Sequence, residues 1–335
     1  MRLRRALPRL GLGAGLFLLG ASAVFAVRRT EDPLALVPSD ASSVAVLHWN
    51  DLRSSELGAQ VFAQMDGVSA DGDASRFLRD TGLNPREDID TMVLSLTKVG
   101  EGSDDVLVIF EGRFDPHRIG SALVSRHAVL QKGASGSYYR LPAESSDRGR
   151  PGAVAVVNPG LMLAGSENAV VAALGRKESG GAGGLMVGQG LGKQLSRVDA
   201  GASAWALVDL TRFPAAALGA PRHSSGSEAD EASRAVMGAM KSVSLVALQA
   251  TVRGDSVDVS AFGLTSDAEN RSLLQDSLRG VLAMWRLAIQ DKSPELVTVL
   301  RGFRIEDDGE GVSIKGTLPG SFLRSLSAHR QASAR

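Results

Sequence analysis

The sequence predicts an α+β protein: two tandem related units of antiparallel sheet with helices packed on one face, preceded by one N-terminal hydrophobic helix. Three observations carry that expectation. A charge-free run follows a basic amino end, short apolar stretches then alternate with turn residues, and the order of those stretches restarts near residue 201. The spacing sets boundaries at 1–29 for a signal anchor or signal peptide, 30–176 for the first unit, 177–200 for a glycine-rich linker, 201–330 for the second unit and 331–335 for a tail.

The amino end holds Arg2, Arg4, Arg5 and Arg9 and no acid, and the 18 residues Leu10–Val27 carry no charge before Arg28 and Arg29. At ~1.5 Å per residue such a helix is about 27 Å long, close to the ~30 Å hydrocarbon layer of a bilayer. Its anchoring side chains are Leu10, Leu12, Leu16, Phe17, Leu18, Leu19, Val24 and Phe25. Positive charge before the run keeps the amino end in the cytoplasm and sends the body across. The expected location is a bacterial inner membrane with a periplasmic body. The alternative is a secreted or periplasmic protein cleaved at Ala21-Ser22-Ala23 or Val24-Phe25-Ala26.

In the first unit, Val44–Trp49 reads as a buried strand, and Asn50 and Asp51 offer caps for a helix to about Met65. Ser75–Thr81 is a short helix closed by Gly82, and Asn84-Pro85 begins a turn. Met92–Val99 and Val106–Phe114 form a hairpin. Asp115 caps a helix to about Arg126, with Pro116 at its first position, where a missing N–H costs nothing. Strands follow at Ala128–Lys132, Ser137–Leu141, Ala153–Val157 and Leu161–Ala164, the last two joined by Asn158-Pro159-Gly160. Ser166 opens a helix through Leu174, and Gly175–Gly192 reads as linker.

The order then restarts. Ala202–Leu210 parallels Ser43–Leu52, and a helix is expected within Glu228–Met240. Val243–Arg253 and Ser256–Thr265 pair across Gly254-Asp255, Asp267 opens a helix to about Gln290, Phe303–Glu306 pairs with Val312–Gly316, and Pro319–Ala328 closes the unit as a helix. The correspondence lies in element order rather than residue identity.

FLRDTGLNPREDIDTMVLSL (Phe77–Leu96), the ENAVVAAL helix and the basic-apolar amino end together resemble uncharacterised bacterial envelope proteins, membrane-anchored or secreted, of unknown function. The resemblance implies a shared fold over most of residues 30–330 and brings no activity and no functional residues with it.

Composition narrows the chemistry. There is no cysteine, which excludes disulfides, thiolate metal sites, cysteine nucleophiles and a lipid joined to cysteine. Beyond residue 27 the chain has 33 basic against 37 acidic residues, a net −4, and aromatic residues are only 4%, so nucleic acid is not an expected partner. None of His48, His117, His127, His223 and His329 lies three to five residues from another, so no helix face offers zinc two imidazoles. Gly180–Lys193 fails as a phosphate loop: Val187 stands where the first glycine belongs, and Gln194 replaces the Ser or Thr that would bind Mg²⁺. Gly133-Ala134-Ser135-Gly136-Ser137 lacks the last glycine of a nucleophile elbow. Asp104, Asp105, Asp307 and Asp308 fall at hairpin tips, where acids solvate and shape turns. No catalytic residue, cofactor or metal is therefore expected.

The helix after Asn270 carries a wide apolar stripe of Leu274, Leu278, Val281 and Trp285, read as a core face with a candidate interaction role. The leading functional expectation is a non-catalytic, extracytoplasmic module for macromolecular interaction or structure, touching the membrane through its amino-terminal segment, with that helix as the candidate contact for a protein partner. Two alternatives stand beside it: a binding module for a small apolar or lipid-like ligand between the two units, and an enzyme with a dispersed site near His48.

Overall fold

The computed structural model describes residues 32–55, 58, 73–99, 104–142, 151–213, 241–289 and 294–324. Its strands are β1 (Ser43–His48), β2 (Ile89–Lys98), β3 (Asp104–Gly112), β4 (Val129–Gly133), β5 (Gly136–Arg140), β6 (Gly152–Asn158), β7 (Leu161–Ser166), β8 (Ala204–Asp209), β9 (Val243–Arg253), β10 (Ser256–Thr265), β11 (Arg304–Asp307) and β12 (Gly311–Pro319). All twelve belong to one antiparallel sheet, in the order β11-β12-β10-β9-β8-β1-β2-β3-β7-β6-β5-β4. β1 and β8 pair directly, Ser43 opposite Val208 through Leu47 opposite Ala204. Outward from this seam the order is β1-β2-β3-β7-β6 on one side and β8-β9-β10-β12-β11 on the other. Charged residues mark both outer strands, Lys132 on β4 and Arg304, Glu306 and Asp307 on β11, which discourages edge-to-edge pairing.

The helices are α1 (Trp49–Arg53), α2 (Asp73–Thr81), α3 (Pro85–Asp88), α4 (Pro116–Val124), α5 (Glu167–Glu178), α6 (Ala268–Ile289) and α7 (Pro294–Arg301). Local chemistry explains their starts. Asp115 Oδ1 accepts from the N–H groups of His117 and Arg118, with Pro116 next to it, and Asn84 Oδ1 accepts from Arg86 N. Ser166, expected to cap α5, makes no such bond; its Oγ accepts from Val106 N and ties β7 to β3 instead.

Helices occupy both faces of the sheet, not one. On one face Val170, Ala173 and Leu174 of α5 pack on Ala153, Ala155 and Leu163; on the other, Ile119 and Leu123 of α4 pack with Met162, Val154 and Val156. The reason is in β6 and β7: both sets of alternating positions are apolar, so both faces need cover.

The glycine-rich stretch is packed rather than free. Short 3₁₀ turns at Leu185–Val187 and Gly190–Arg197 lie on the α5 face, with Leu185 0% and Leu191 2% exposed. Leu185 N donates to Val37 O at 2.8 Å and Ser39 N to Gly183 O at 3.0 Å. A Cβ on Gly184 would stand 2.1 Å from the Ala35 carbonyl oxygen, so here glycine permits close backbone approach rather than motion.

Residues 320–324 are helical, with Pro319 still in β12. The expected helix within residues 228–240, and most of the one expected beyond Arg53, lie outside the described residues. So do all eight named anchor positions, Leu10 through Phe25. No helix among the described residues is long and apolar enough to cross a membrane.

Candidate functional site

The face opposite α5 carries helices at its two ends, α1, α2 and α4 beside β2, β3 and β7, and α6 and α7 beside β10, β12 and β11. Between them an apolar cavity of about 500 Å³ crosses the seam. Strand register builds its floor in two rows. One row is Met92, Leu47, Ala204, Ala250 and Val259, ending opposite Gly316; the other is Leu94, Ala45, Ala206, Leu248, Ala261 and Ile314. Five interstrand steps at ~4.8 Å make this trough roughly 24 Å long, and two rows make it about 7 Å wide.

Small side chains create the depth. Ala45, Ala204, Ala206, Ala250 and Ala261 occupy places where a buried strand would ordinarily present Val, Ile or Leu. Leu248 stands 43% exposed among them, and Leu94 and Met92 border the β2 end. None of the described lining residues is ionisable. Its two polar members, Gln249 and Ser260, alternate to the opposite face, where Gln249 Oε1 accepts from Asp199 N at 3.0 Å. Along one long side, Leu274 and Leu278 of α6 pack with Val208 and Val246.

No family model matches this chain, and no curated protein matches it. Three crystal forms of TP0453 are similar to it in structure. Form IV has a TM-score of 0.46 at 12% identity, over 89% of this chain and 96% of that one. Form III has a TM-score of 0.45 at 13% identity, over 89% and 98%, and form I has 0.43 at 10% identity, over 90% and 98%.

The sequence-predicted residues scatter. His48 sits at the end of β1, on the α5 face, with Nδ1 2.7 Å from the Ala202 carbonyl oxygen. That carbonyl can only accept, so Nδ1 carries the proton and the ring is a cross-seam tie. Register continues from His48 to Thr91 and then Glu111. Burial pushes the Glu111 carboxyl above its ordinary value, the Thr91 hydroxyl bond opposes it, and the negative charges of Asp32 and Asp90 add to the rise. Sequence reasoning named His48 but not Glu111, whose only sequence signal is an acid directly after the apolar run Val106–Phe110.

A larger crevice of about 1260 Å³ lies at the ends of β2, β3 and β7, but its charges are of both signs and largely engaged. Asp90 pairs with Arg113 at 3.1 Å and Arg53 at 3.6 Å, and Asp115 is the α4 cap. His117 and His127 are exposed, and His223 and His329 lie outside the described residues. Asp307 and Asp308 shape their turn by accepting from Gly309, Glu310 and Gly311 N–H groups. No group of three or more His, Asp or Glu among the described residues is arranged to hold a metal.

The α6 stripe divides. Leu274 is 2% exposed and Leu278 packs beside it, whereas Trp285 is 55% exposed. Helix α7, which the sequence reading missed, is the cause. Arg286 Nη2 donates to Leu300 O of α7 at 2.7 Å, so the second half of α6 turns its Leu282–Arg286 flank inward and leaves Trp285 outside.

Proposed function

We propose that this chain is a non-catalytic extracytoplasmic binding protein whose trough takes a linear apolar, lipid-like ligand. One observation carries the reading: the cavity across the β1–β8 seam has an alanine-rich floor and, among the described residues, no ionisable lining residue. Its volume falls within the roughly 300–1,000 Å³ typical of small-molecule sites. With no directed polar group among the described residues, such a surface selects by shape and by apolar area removed from water. The test is native mass spectrometry of protein purified without detergent, followed by titration with a single-chain lipid. Co-purifying or added lipid held one to one supports the reading; failure to retain any lipid refutes it.

Location rests on Arg2, Arg4, Arg5 and Arg9 ahead of eighteen uncharged residues. A periplasm-dependent reporter fused after Asp40 should be active, and a reporter retained in the cytosol rules this part out. The mirrored strand order about the seam further supports an origin of the two flanks as tandem units.

A second reading, docking of a macromolecule, has its own support in Leu273, Trp285 and Leu287 of α6, which are 55%, 55% and 71% exposed. Crosslinking through a photoreactive group at Trp285 tests it, and recovery of the monomer alone counts against it. An enzyme around His48 has less support, because one ring nitrogen is already committed to Ala202.

A further inference from the structure

We infer that the trough holds one extended hydrocarbon chain and that Phe303 limits the length it accepts, a step that rests on the apolar-ligand reading above. Both floor rows are stopped at the same end. The row through Ala204, Ala250 and Val259 arrives at Gly316, and the row through Ala206, Leu248 and Ala261 arrives at the side chain of Ile314. At Gly316 the missing side chain is replaced by a ring. A Cβ there would lie 2.7–2.8 Å from three ring carbons of Phe303, so the phenyl group lies against the glycine and stands across the end of its row. The backbone that carries the ring is tied to the end of α7: Phe303 N donates to Leu300 O and Gly302 N to Val299 O.

The dimensions select the occupant. A floor of roughly 24 by 7 Å offers about 170 Å², far below the ~800 Å² per partner of a stable protein interface. A second copy of the chain is therefore a poor fit. A cavity of about 500 Å³ spread along that length is narrow. It has room for one extended polymethylene chain and not for two side by side.

Each methylene that enters contributes about fourfold in affinity, the equivalent of ~0.8 kcal/mol. Affinity should therefore climb with chain length and then stop climbing when the terminal methyl meets Phe303. The experiment is calorimetric titration of the full chain with lysophospholipids of one headgroup and chains from octanoyl to octadecanoyl, beside a diacyl lipid of the same headgroup. The wild-type protein should show a rise followed by a plateau or fall, and weaker binding of the diacyl lipid. Phe303→Leu and Phe303→Ala should move the break to progressively longer chains. Phe303→Leu retains an apolar side chain at the site and serves if the alanine variant does not fold. A steady rise with no break, a break that neither variant moves, or equal binding of diacyl lipid overturns the inference while leaving the apolar-ligand reading intact. Absence of binding at every length refutes that reading itself.

Discussion

Ala45 and Ala206 face each other across the seam between β1 and β8, two methyl groups at the centre of a sheet of twelve strands. The pair joins the two flanks of the sheet and also forms the middle of the trough floor. A large side chain at either place would fill the cavity without disturbing the opposite face, where Val46 and Trp205 are buried.

Ala206→Phe should therefore weaken binding of a single-chain lipid by about tenfold or more, the effect of ~1.4 kcal/mol. The new ring would enter open space, so the fold should survive. Titration together with circular dichroism checks both halves of the statement. Undiminished binding by a folded variant would remove the trough as the site.

Leu185→Ala tests the packed glycine-rich segment. Leu185 is fully buried against the sheet, and truncating such a leucine costs about 2–5 kcal/mol. A free linker would lose next to nothing. Urea unfolding distinguishes the two by the shift in midpoint at constant slope.

That segment shows where sequence reading stops. Strand positions were legible because alternation and turn residues act locally: Gly254-Asp255 joins β9 to β10 as expected, and Asp115-Pro116 starts α4. Pairing of β1 with β8 was not legible. Both strands are apolar on both faces, a pattern that marks them as central without naming a neighbour about 160 residues away. The glycines before Leu185 and Leu191 looked like flexibility because composition carries no information about what backbone lies opposite, here Ala35 and Val37 for the first and Ser39 for the second. The trough was hidden for a related reason. Its alanines sit in four different strands, and only register aligns Ala45 with Ala206 and Ala204 with Ala250.

Glu111→Gln should stabilise the protein at neutral pH. Burial, helped by Asp32 and Asp90, holds this carboxyl above its ordinary value against the opposing influence of Thr91 and His48. The folded state therefore binds the proton more tightly than the unfolded chain. The associated stability is complete below the ordinary carboxylate range and is lost as pH rises through the raised value. Glutamine removes that loss, so the variant should exceed wild type near neutrality and approach it in acid. Denaturant midpoints at stepped pH measure the difference, and a variant weaker than wild type at neutral pH contradicts the assignment.

Leu274→Ala and Trp285→Ala separate the two halves of α6. Both residues lie on the stripe that periodicity draws along the helix, so a uniform core face would make both substitutions costly. The structure assigns them different surroundings: Leu274 is 2% exposed and approaches Gly263, while Trp285 is 55% exposed beyond the turn where Arg286 reaches α7. Leu274→Ala should cost about 2–5 kcal/mol, and Trp285→Ala should stay within ~0.5 kcal/mol, as surface changes usually do. Equal losses at the two positions would mean that something in the folded protein covers Trp285.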